Sequence, residues 1–429
     1  MYKIKKLFSK IFVILSFLII PFTNHVVGSQ QQIKRNPVTI ELIKILNKNP
    51  EVKNLMVKSI ESAKKINPDM KSNPAQTLED WYTYIDWSLK AMPWKDLRKE
   101  YFPGLFEGFD QGLDYFYFIL DQPLGELKDK GLYYNSLQYH EPIRSWIIKY
   151  VKQYGAHLST KKSWNLNYYD AIYNDSHFGL KDHDWYEDPD NWRTFNDFFS
   201  RKLKSPDARP IADKDDDSIV ISPADSVPEG VWRIDMNANI VQKQGVKIKS
   251  SIYYYIPNLL GEKEDSLYRE TFDGGYLTHT FLNVQDYHRF HFPVSGVVRE
   301  VRIIAQDGAA GGITTWDPKL KKYVLDSRVP GWQSIETRGL VILETKGYGI
   351  VALLPVGMSQ VSSVKFEDNV KVGQHFSKGD PLGYFLFGGS DFIMLFQKDS
   401  GFEMTAPKEK DGKYKHIFMG EKYGTFNKK

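Results

Sequence analysis

The sequence predicts an α+β chain, with a helical N-terminal part followed by a β-rich part. Three observations carry this. Between about 36 and 200, apolar residues recur at helical spacing. After about 217 they gather into short β-branched and aromatic runs, broken by Gly, Pro, Asp and Asn. The two patterns follow one another instead of alternating, which separates α+β from α/β. A chain of 429 residues has room for two or three domains. The expected divisions are 1–29, 36–190 and 191–429.

Residues 1–29 stand apart from the fold. Lys3, Lys5, Lys6 and Lys10 make a basic start, and 11–22 is an apolar run. Small residues at Gly28 and Ser29 then offer a cleavage site. This is the pattern of a signal peptide, with an N-terminal anchor as the alternative, since the run is short for a bilayer span. Either way the body is expected to be exported, to a periplasm, a lumen or the outside.

In the helical part, Asn49 and Pro50 sit as N-cap and first-turn proline before Val52, Leu55, Met56, Ile60 and Ala63. Thr77 with Asp80 resembles a capping box ahead of Trp81, Tyr82 and Ile85. Ile143, Trp146, Ile147, Tyr150 and Val151 form a stripe expected to pack in a core. Residues 174–191 are polar and read as a solvated linker. His177, Asp182, His183 and Asp184 lie there at a spacing that fits no familiar metal site.

In the β-rich part, strands are expected at 275–282, 297–304, 340–344 and 348–354. Thr345, Lys346 and Gly347 make a hairpin turn between the last two. Gly373, Gly379 and Gly383 mark tight turns within 371–385.

Composition removes several kinds of chemistry. A hydrophobic share of 41% with 26% charged residues is that of a soluble globular protein, so neither disorder nor a multi-span membrane protein is expected. Fifty-seven basic against 53 acidic side chains is too balanced for a nucleic-acid partner. There is no cysteine, which excludes disulfides, thiolate metal sites, iron–sulfur clusters and a Cys nucleophile.

Four pieces stand out as chemistry: 195–211 (FNDFFSRKLKSPDARPI), 222–226 (SPADS), 286–296 (DYHRFHFPVSG) and 387–392 (FGGSDF). They supply an acid, Asp225, in a turn fixed by proline. They supply His288 and His291, the usual proton carriers near neutral pH. They also supply Ser390 behind Gly388 and Gly389, which leave the Gly389 carbonyl unshielded. An Asp–His–Ser set can activate the serine as a nucleophile.

Together, in this order, the four pieces resemble the phosphatidylserine decarboxylase family. The upstream helices and the FGGS ending are similar to its longer branch, which includes fungal tryptophan decarboxylases. The resemblance implies a β-rich, self-processing catalytic domain cut between Gly389 and Ser390. Ser390 Oγ attacks the Gly389 carbonyl, and the resulting ester is converted to a pyruvoyl group at position 390. His291 matches the family's base for this step and Asp225 the acid that supports it. His288 matches the histidine of decarboxylation, and Asp286 has a supporting place. The pyruvoyl ketone would form a Schiff base with a substrate amine and act as electron sink, without pyridoxal phosphate or a metal.

The implied substrate is phosphatidylserine, converted to phosphatidylethanolamine with release of CO2. The alternative within the family is a free, aromatic amino acid. Peripheral contact with a membrane and a homodimer are the implied associations. Two residues depart from the pattern: Ser226 stands where glycine is usual, and Asp391 where Thr or Ser is common. A carboxylate at 391 is expected to oppose the oxyanion of cleavage. Outside this reading stand a serine hydrolase built on Asp225, His291 and Ser390, although no G-x-S-x-G surrounds Ser390, and an inactive lipid-binding homologue that stays uncleaved.

Overall fold

The computed structural model describes residues 34–93, 102–106, 111–128, 130, 134–241, 255–261, 268, 270–305, 312–328, 330–358, 363–387 and 389–427. The expected signal segment, 1–29, lies outside the described residues. The chain opens with helices α1 (Pro37–Lys48), α2 (Pro50–Ile66) and α3 (Leu78–Ser88). After the short α4 (Pro103–Phe106) come α5 (Gln111–Leu120), α6 (Ile143–Leu158), α7 (Leu166–Tyr173) and the one-turn α8 (Phe195–Phe199). Strands follow, with one short helix among them, α9 (Ile256–Leu260), so the α+β expectation is met.

The expected helices form with some changes at their ends. Pro50 opens α2, but the Asn49 side chain donates back to the Ile45 carbonyl at 2.7 Å instead of capping forward. At α3, Thr77 Oγ1 accepts from the Asp80 amide at 3.2 Å. The reciprocal half of the box is missing there, because Asp80 takes the Gln76 amide and the Thr77 hydroxyl. A complete capping box occurs instead at α8, between Thr194 and Asp197. The stripe from Ile143 to Val151 is fully buried along α6, as its spacing requires. Helix α5 is different: Tyr115 to Leu120 are all buried, so it is an interior helix covered on nearly every side.

The main sheet has eight antiparallel strands. Its order is β12 (His375–Phe376), β6 (Gly296–Ile304), β9 (Arg338–Thr345), β10 (Gly349–Met358), β14 (Gly389–Phe396), β4 (Tyr276–Leu282), β2 (Val227–Ile234) and β3 (Ile240–Val241). Smaller sheets join β1 (Ile219–Ile221), β16 (Lys422–Phe426) and β15 (Phe402–Met404), and β11 (Val364–Phe366), β13 (Pro381–Phe385) and β5 (Arg289–His291). A separate hairpin pairs β7 (Ile313–Asp317) with β8 (Lys322–Asp326). The turn after Thr345 forms as expected, with Gly347 at φ 94°. Gly379 is likewise a turn glycine, at φ 88°. Gly383 is not: it lies inside β13, where a Cβ would meet the Lys365 carbonyl oxygen at 2.1 Å.

The main sheet separates two apolar cores. Leu353, Phe392 and Met394 face the larger one, which also takes in the N-terminal helices. Leu354, Ile393 and Leu395 face the smaller one, closed by α9. Strand β14 is therefore buried on both faces, and its side chains alternate between the two.

Hairpin β7–β8 is tied to the helices. Gln111 on α5 mimics a strand, accepting from the Tyr323 amide at 2.7 Å and donating to its carbonyl at 3.1 Å. Asp121, just past α5, takes the Thr314 amide at 2.8 Å. The Tyr323 hydroxyl meets Asn67 at 2.9 Å. The larger core runs from Val38 to Phe426, and Arg35–Lys429 pack as one compact unit.

Candidate active site

Ser390 is the second residue of β14, opposite Leu282 of β4 and Gly357 of β10. It is fully buried and faces the larger core side of the sheet. His288 arrives beside it from the segment between β4 and β5. Ser390 Oγ lies 3.2 Å from His288 Nδ1. The other ring nitrogen, Nε2, is 2.9 Å from the Asn283 carbonyl and donates to it. That bond leaves the lone pair on Nδ1, aimed at the serine. Burial, reinforced by the charge of Arg201, lowers His288 to about 3, so the imidazole is neutral near pH 7.

The 195–211 piece builds this setting. Phe199 stacks on the His288 ring, with centroids 3.7 Å apart. Asn196 Oδ1 accepts from the Phe387 amide at 3.0 Å, which anchors the backbone at Phe387. Arg201 is fully buried and donates to the carbonyls of Gln285 and Asp286 at 2.8 and 2.9 Å, holding the loop that carries His288. Its guanidinium lies over Tyr186 and Phe198.

Neither Asp225 nor His291 is bonded to Ser390 or to the other. His291 Nδ1 donates to the Gly379 carbonyl at 2.8 Å, and its Nε2 accepts from the Tyr287 hydroxyl at 3.2 Å. Its amide reaches the Pro223 carbonyl at 2.8 Å, which ties it to the turn holding Asp225. Burial lowers this imidazole as well, to about 4. The Asp225 carboxylate is taken by Arg209, through Nε at 2.9 Å and Nη2 at 2.6 Å, and by the Met419 amide at 2.9 Å. A full cation offers the carboxylate more than a neutral imidazole does. A preassembled Asp225–His291–Ser390 triad is thus not what the fold presents.

Asp286 accepts from the Asn283 amide at 2.8 Å and from His416 Nε2 at 2.9 Å. Burial raises its carboxyl, and the histidine partly offsets that. The site thus joins Ser390 and His288 directly, while His291, Asp225 and Asp286 are held by other partners.

Both departures from the motif have structural places. Asp391 points to the face of β14 opposite Ser390. There it meets His279 Nδ1 at 3.2 Å and accepts from Gln333 Nε2 at 2.9 Å. Burial opposes charge on His279, but Asp391 outweighs it and holds the imidazole above its ordinary value. Ser226 is buried and accepts from the Thr280 hydroxyl at 2.6 Å, without disturbing Asp225.

A family model described as phosphatidylserine decarboxylase matches residues 195–425. The chain belongs to the phosphatidylserine decarboxylase family. The match takes in all four motif pieces and every residue named at the site from Phe199 to His416. Phosphatidylserine decarboxylase proenzyme 2 of Oryza sativa subsp. japonica is 34% identical over 50% of this chain and 31% of its own length. The phosphatidylserine decarboxylase proenzyme of Clostridium novyi is 32% identical over 59% of this chain and 75% of its own. Decarboxylase iboD of Amanita muscaria is 30% identical over 49% and 61%. The chain spans about a third or less of the rice relative and of those from Komagataella phaffii and Schizosaccharomyces pombe.

His279, Gln333 and His416 are among the residues of the site that carried no signal in the sequence. Each acts through a partner far along the chain, so no local spacing marks it. Asn196, Phe199 and Arg201 lay inside a recognised family motif, and only the folded chain shows what they hold.

The Arg209–Asp225 pair gives a stability prediction. Both side chains are almost wholly buried, at 2% and 3% exposure. Asp225→Asn leaves a buried guanidinium without its counter-charge. Its expected cost is about 3–5 kcal/mol, read as a lower urea midpoint of unfolding. An unchanged midpoint would show that Arg209 finds another partner.

Proposed function

We propose that the chain is a self-processing decarboxylase. It cuts itself between Gly389 and Ser390 and converts phosphatidylserine to phosphatidylethanolamine with release of CO2. One observation carries the reading: the buried Ser390 hydroxyl sits against a neutral imidazole whose tautomer is held ready to accept its proton. Names of relatives as proenzymes support the processing step.

In processing, Ser390 Oγ attacks the Gly389 carbonyl carbon. The new C–O bond replaces the C–N bond, and the Oγ proton passes through an imidazole to the freed Ser390 amine. His288 Nδ1 is the acceptor in place; His291, backed by Asp225, is the one assigned by resemblance. Elimination of the Gly389 carboxylate and hydrolysis with release of ammonia leave a pyruvoyl group at 390.

The residues present fit such a group. Position 390 is enclosed, His288 beside it is neutral, and Phe199 shields that imidazole from water. When formed, the ketone supplies an electron sink for loss of CO2. His288 stays next to residue 390; its free Nδ1 is placed to take the proton that the substrate ammonium sheds and to return it to the carbon that loses CO2. Asn283 and Arg201 hold it there, and Asp286 braces the loop.

The basic, apolar start of the sequence supports export and a membrane-facing place for the body, and we include a homodimer in the proposal. Among the described residues no helix is long and apolar enough to cross a membrane. A free amino acid is the second reading, favoured by one observation: the Amanita relative is named a decarboxylase without reference to phosphatidylserine. The pure enzyme should release CO2 from detergent-dispersed phosphatidylserine and not from free tryptophan, tyrosine or serine. Release from an amino acid and none from the lipid would replace the first reading by the second.

A further inference from the structure

A chain of hydrogen bonds joins Ser390 to His416, near the C-terminal end of the sequence. It starts at His288, which faces Ser390 at 3.2 Å through Nδ1 and donates from Nε2 to the Asn283 carbonyl at 2.9 Å. That carbonyl also accepts from the Asp286 amide at 2.9 Å, which closes a tight turn over 283–286. The Asp286 carboxylate completes the turn, taking the Asn283 amide at 2.8 Å and its side-chain amide at 3.3 Å. His416 Nε2 donates to the same carboxylate at 2.9 Å. Whatever tilts this turn also moves the carbonyl that orients His288.

The turn is pinned twice. Arg201 takes the carbonyls of Gln285 and Asp286, and His416 takes the carboxylate. Among the described residues no lysine or arginine pairs with Asp286, whose side chain is 6% exposed, so His416 is its counter-charge. A buried carboxylate needs one. Burial opposes charge on His416, but Asp286, helped by Asp225 and Glu421, outweighs it and holds the imidazole above its ordinary value. The segment that presents His416 is itself fixed. Ile417 exchanges both backbone bonds with Ser226, each at 2.9 Å, and the Met419 amide donates to Asp225 at 2.9 Å. The proposed cleavage would leave His416 and residue 390 on one piece, and Asp286, Asn283 and His288 on the other. The piece with the ketone then also carries a hold on the imidazole beside it.

We propose that His416 is a positioning residue for decarboxylation: through Asp286 and the 283–286 turn it fixes the orientation of His288 toward residue 390. The inference rests on the decarboxylase reading, in which His288 moves a proton at that residue. His416 takes no proton from the substrate; it acts only through Asp286. An orienting partner of this kind changes the rate of the chemical step and leaves the affinity for substrate nearly as it was.

The test compares wild type, His416→Ala, His416→Gln, Asp286→Ala and the double variant His416→Ala/Asp286→Ala. Each is checked for cleavage by denatured intact mass. CO2 release is then measured with detergent-dispersed phosphatidylserine in one arm and free tryptophan and serine in the other. Rates are counted per ketone, titrated with phenylhydrazine, so that unfolded or uncleaved protein does not enter kcat. In whichever arm the wild type turns over, His416→Ala should lower kcat about tenfold with KM nearly unchanged, within the roughly hundredfold that a small misplacement can cost. Gln sets a donor where Nε2 stands and should recover most of that loss. In the double variant the losses should not add, because His416 has nothing left to act through. If His416→Ala does not fold, His416→Asn, whose nitrogen falls short of Asp286, takes its place. If Asp286→Ala does not cleave, the comparison of Ala with Gln at 416 decides alone. Wild-type kcat in His416→Ala, a loss confined to KM, a Gln variant no better than Ala, or additive losses overturn the inference and leave the decarboxylase reading intact. Folded 416 variants that stay whole overturn it too, since His416 would then serve the cleavage. A wild type that is folded and never cleaved removes the decarboxylase reading, and the inference with it.

Discussion

Ser390→Ala stays one chain under conditions in which the folded wild type yields a separate piece covering 390–429. The nucleophile of the proposed cleavage is the Ser390 hydroxyl, and no other hydroxyl is bonded to His288 Nδ1 among the described residues. Alanine removes it and leaves β14 otherwise unchanged. The effect should be all or none on a mass spectrum of denatured protein, with the wild-type fragment blocked at its N-terminus. Under native conditions the two proteins should look alike. The fragment holds β14 between β10 and β4 in the middle of the main sheet, and β16 beside β1. Met419 and His416 bind it further to Asp225 and Asp286. Burial keeps both candidate imidazoles neutral, at about 3 for His288 and about 4 for His291. The cleavage rate should therefore be nearly flat from pH 5.5 to 8, because neither base gains a proton in that range. Wild type and variant both whole, while folded, would end the pyruvoyl mechanism for this chain and bring the uncleaved lipid-binding homologue forward. A whole wild type whose Ser390 is labelled by a fluorophosphonate would favour the hydrolase.

Much of the frame was legible because it is local. The helical stripe of α6, the hairpin around Gly347 and the change from helices to strands each depend on residues a few positions apart. The four motif pieces could be read as a set because the family keeps their order. Long-range partnerships could not be read. Nothing near Asp225 announces that Arg209 will occupy its carboxylate, or that Phe199 will stack on an imidazole 89 positions later. Asp391 does not share the Ser390 side of the sheet for a simple reason. Adjacent residues of a strand face opposite ways, so the neighbour of Ser390 belongs to the other face of the sheet. Hairpin β7–β8 is the same lesson at larger scale: it belongs to the β-rich half in sequence and binds α5 in space.

His288→Ala should lose CO2 release by about a thousandfold, within the range for a positioned acid–base group. The imidazole is the titratable side chain bonded to residue 390, and Asn283 and Phe199 fix its orientation. Alanine leaves no group there to deliver a proton after decarboxylation, and water has little access to so enclosed a position. In cleaved protein, substrate binding should suffer far less, so the loss belongs to kcat and leaves KM nearly unchanged. His288→Gln is the control for shape: it keeps a polar side chain of comparable reach without a proton carrier, and should fall with alanine. The cleavage state of the same variant separates the two histidines. If His288→Ala stays whole, His288 is the base that takes the Ser390 proton, as its 3.2 Å contact favours. If it is cleaved and still releases no CO2, processing belongs to His291. That imidazole must then leave Gly379 and Tyr287, and Asp225 must loosen its hold on Arg209, before the three can act on the Gly389–Ser390 bond. His291→Ala would in that case stay whole. A cleaved His288→Ala with wild-type CO2 release would remove His288 from the chemistry altogether.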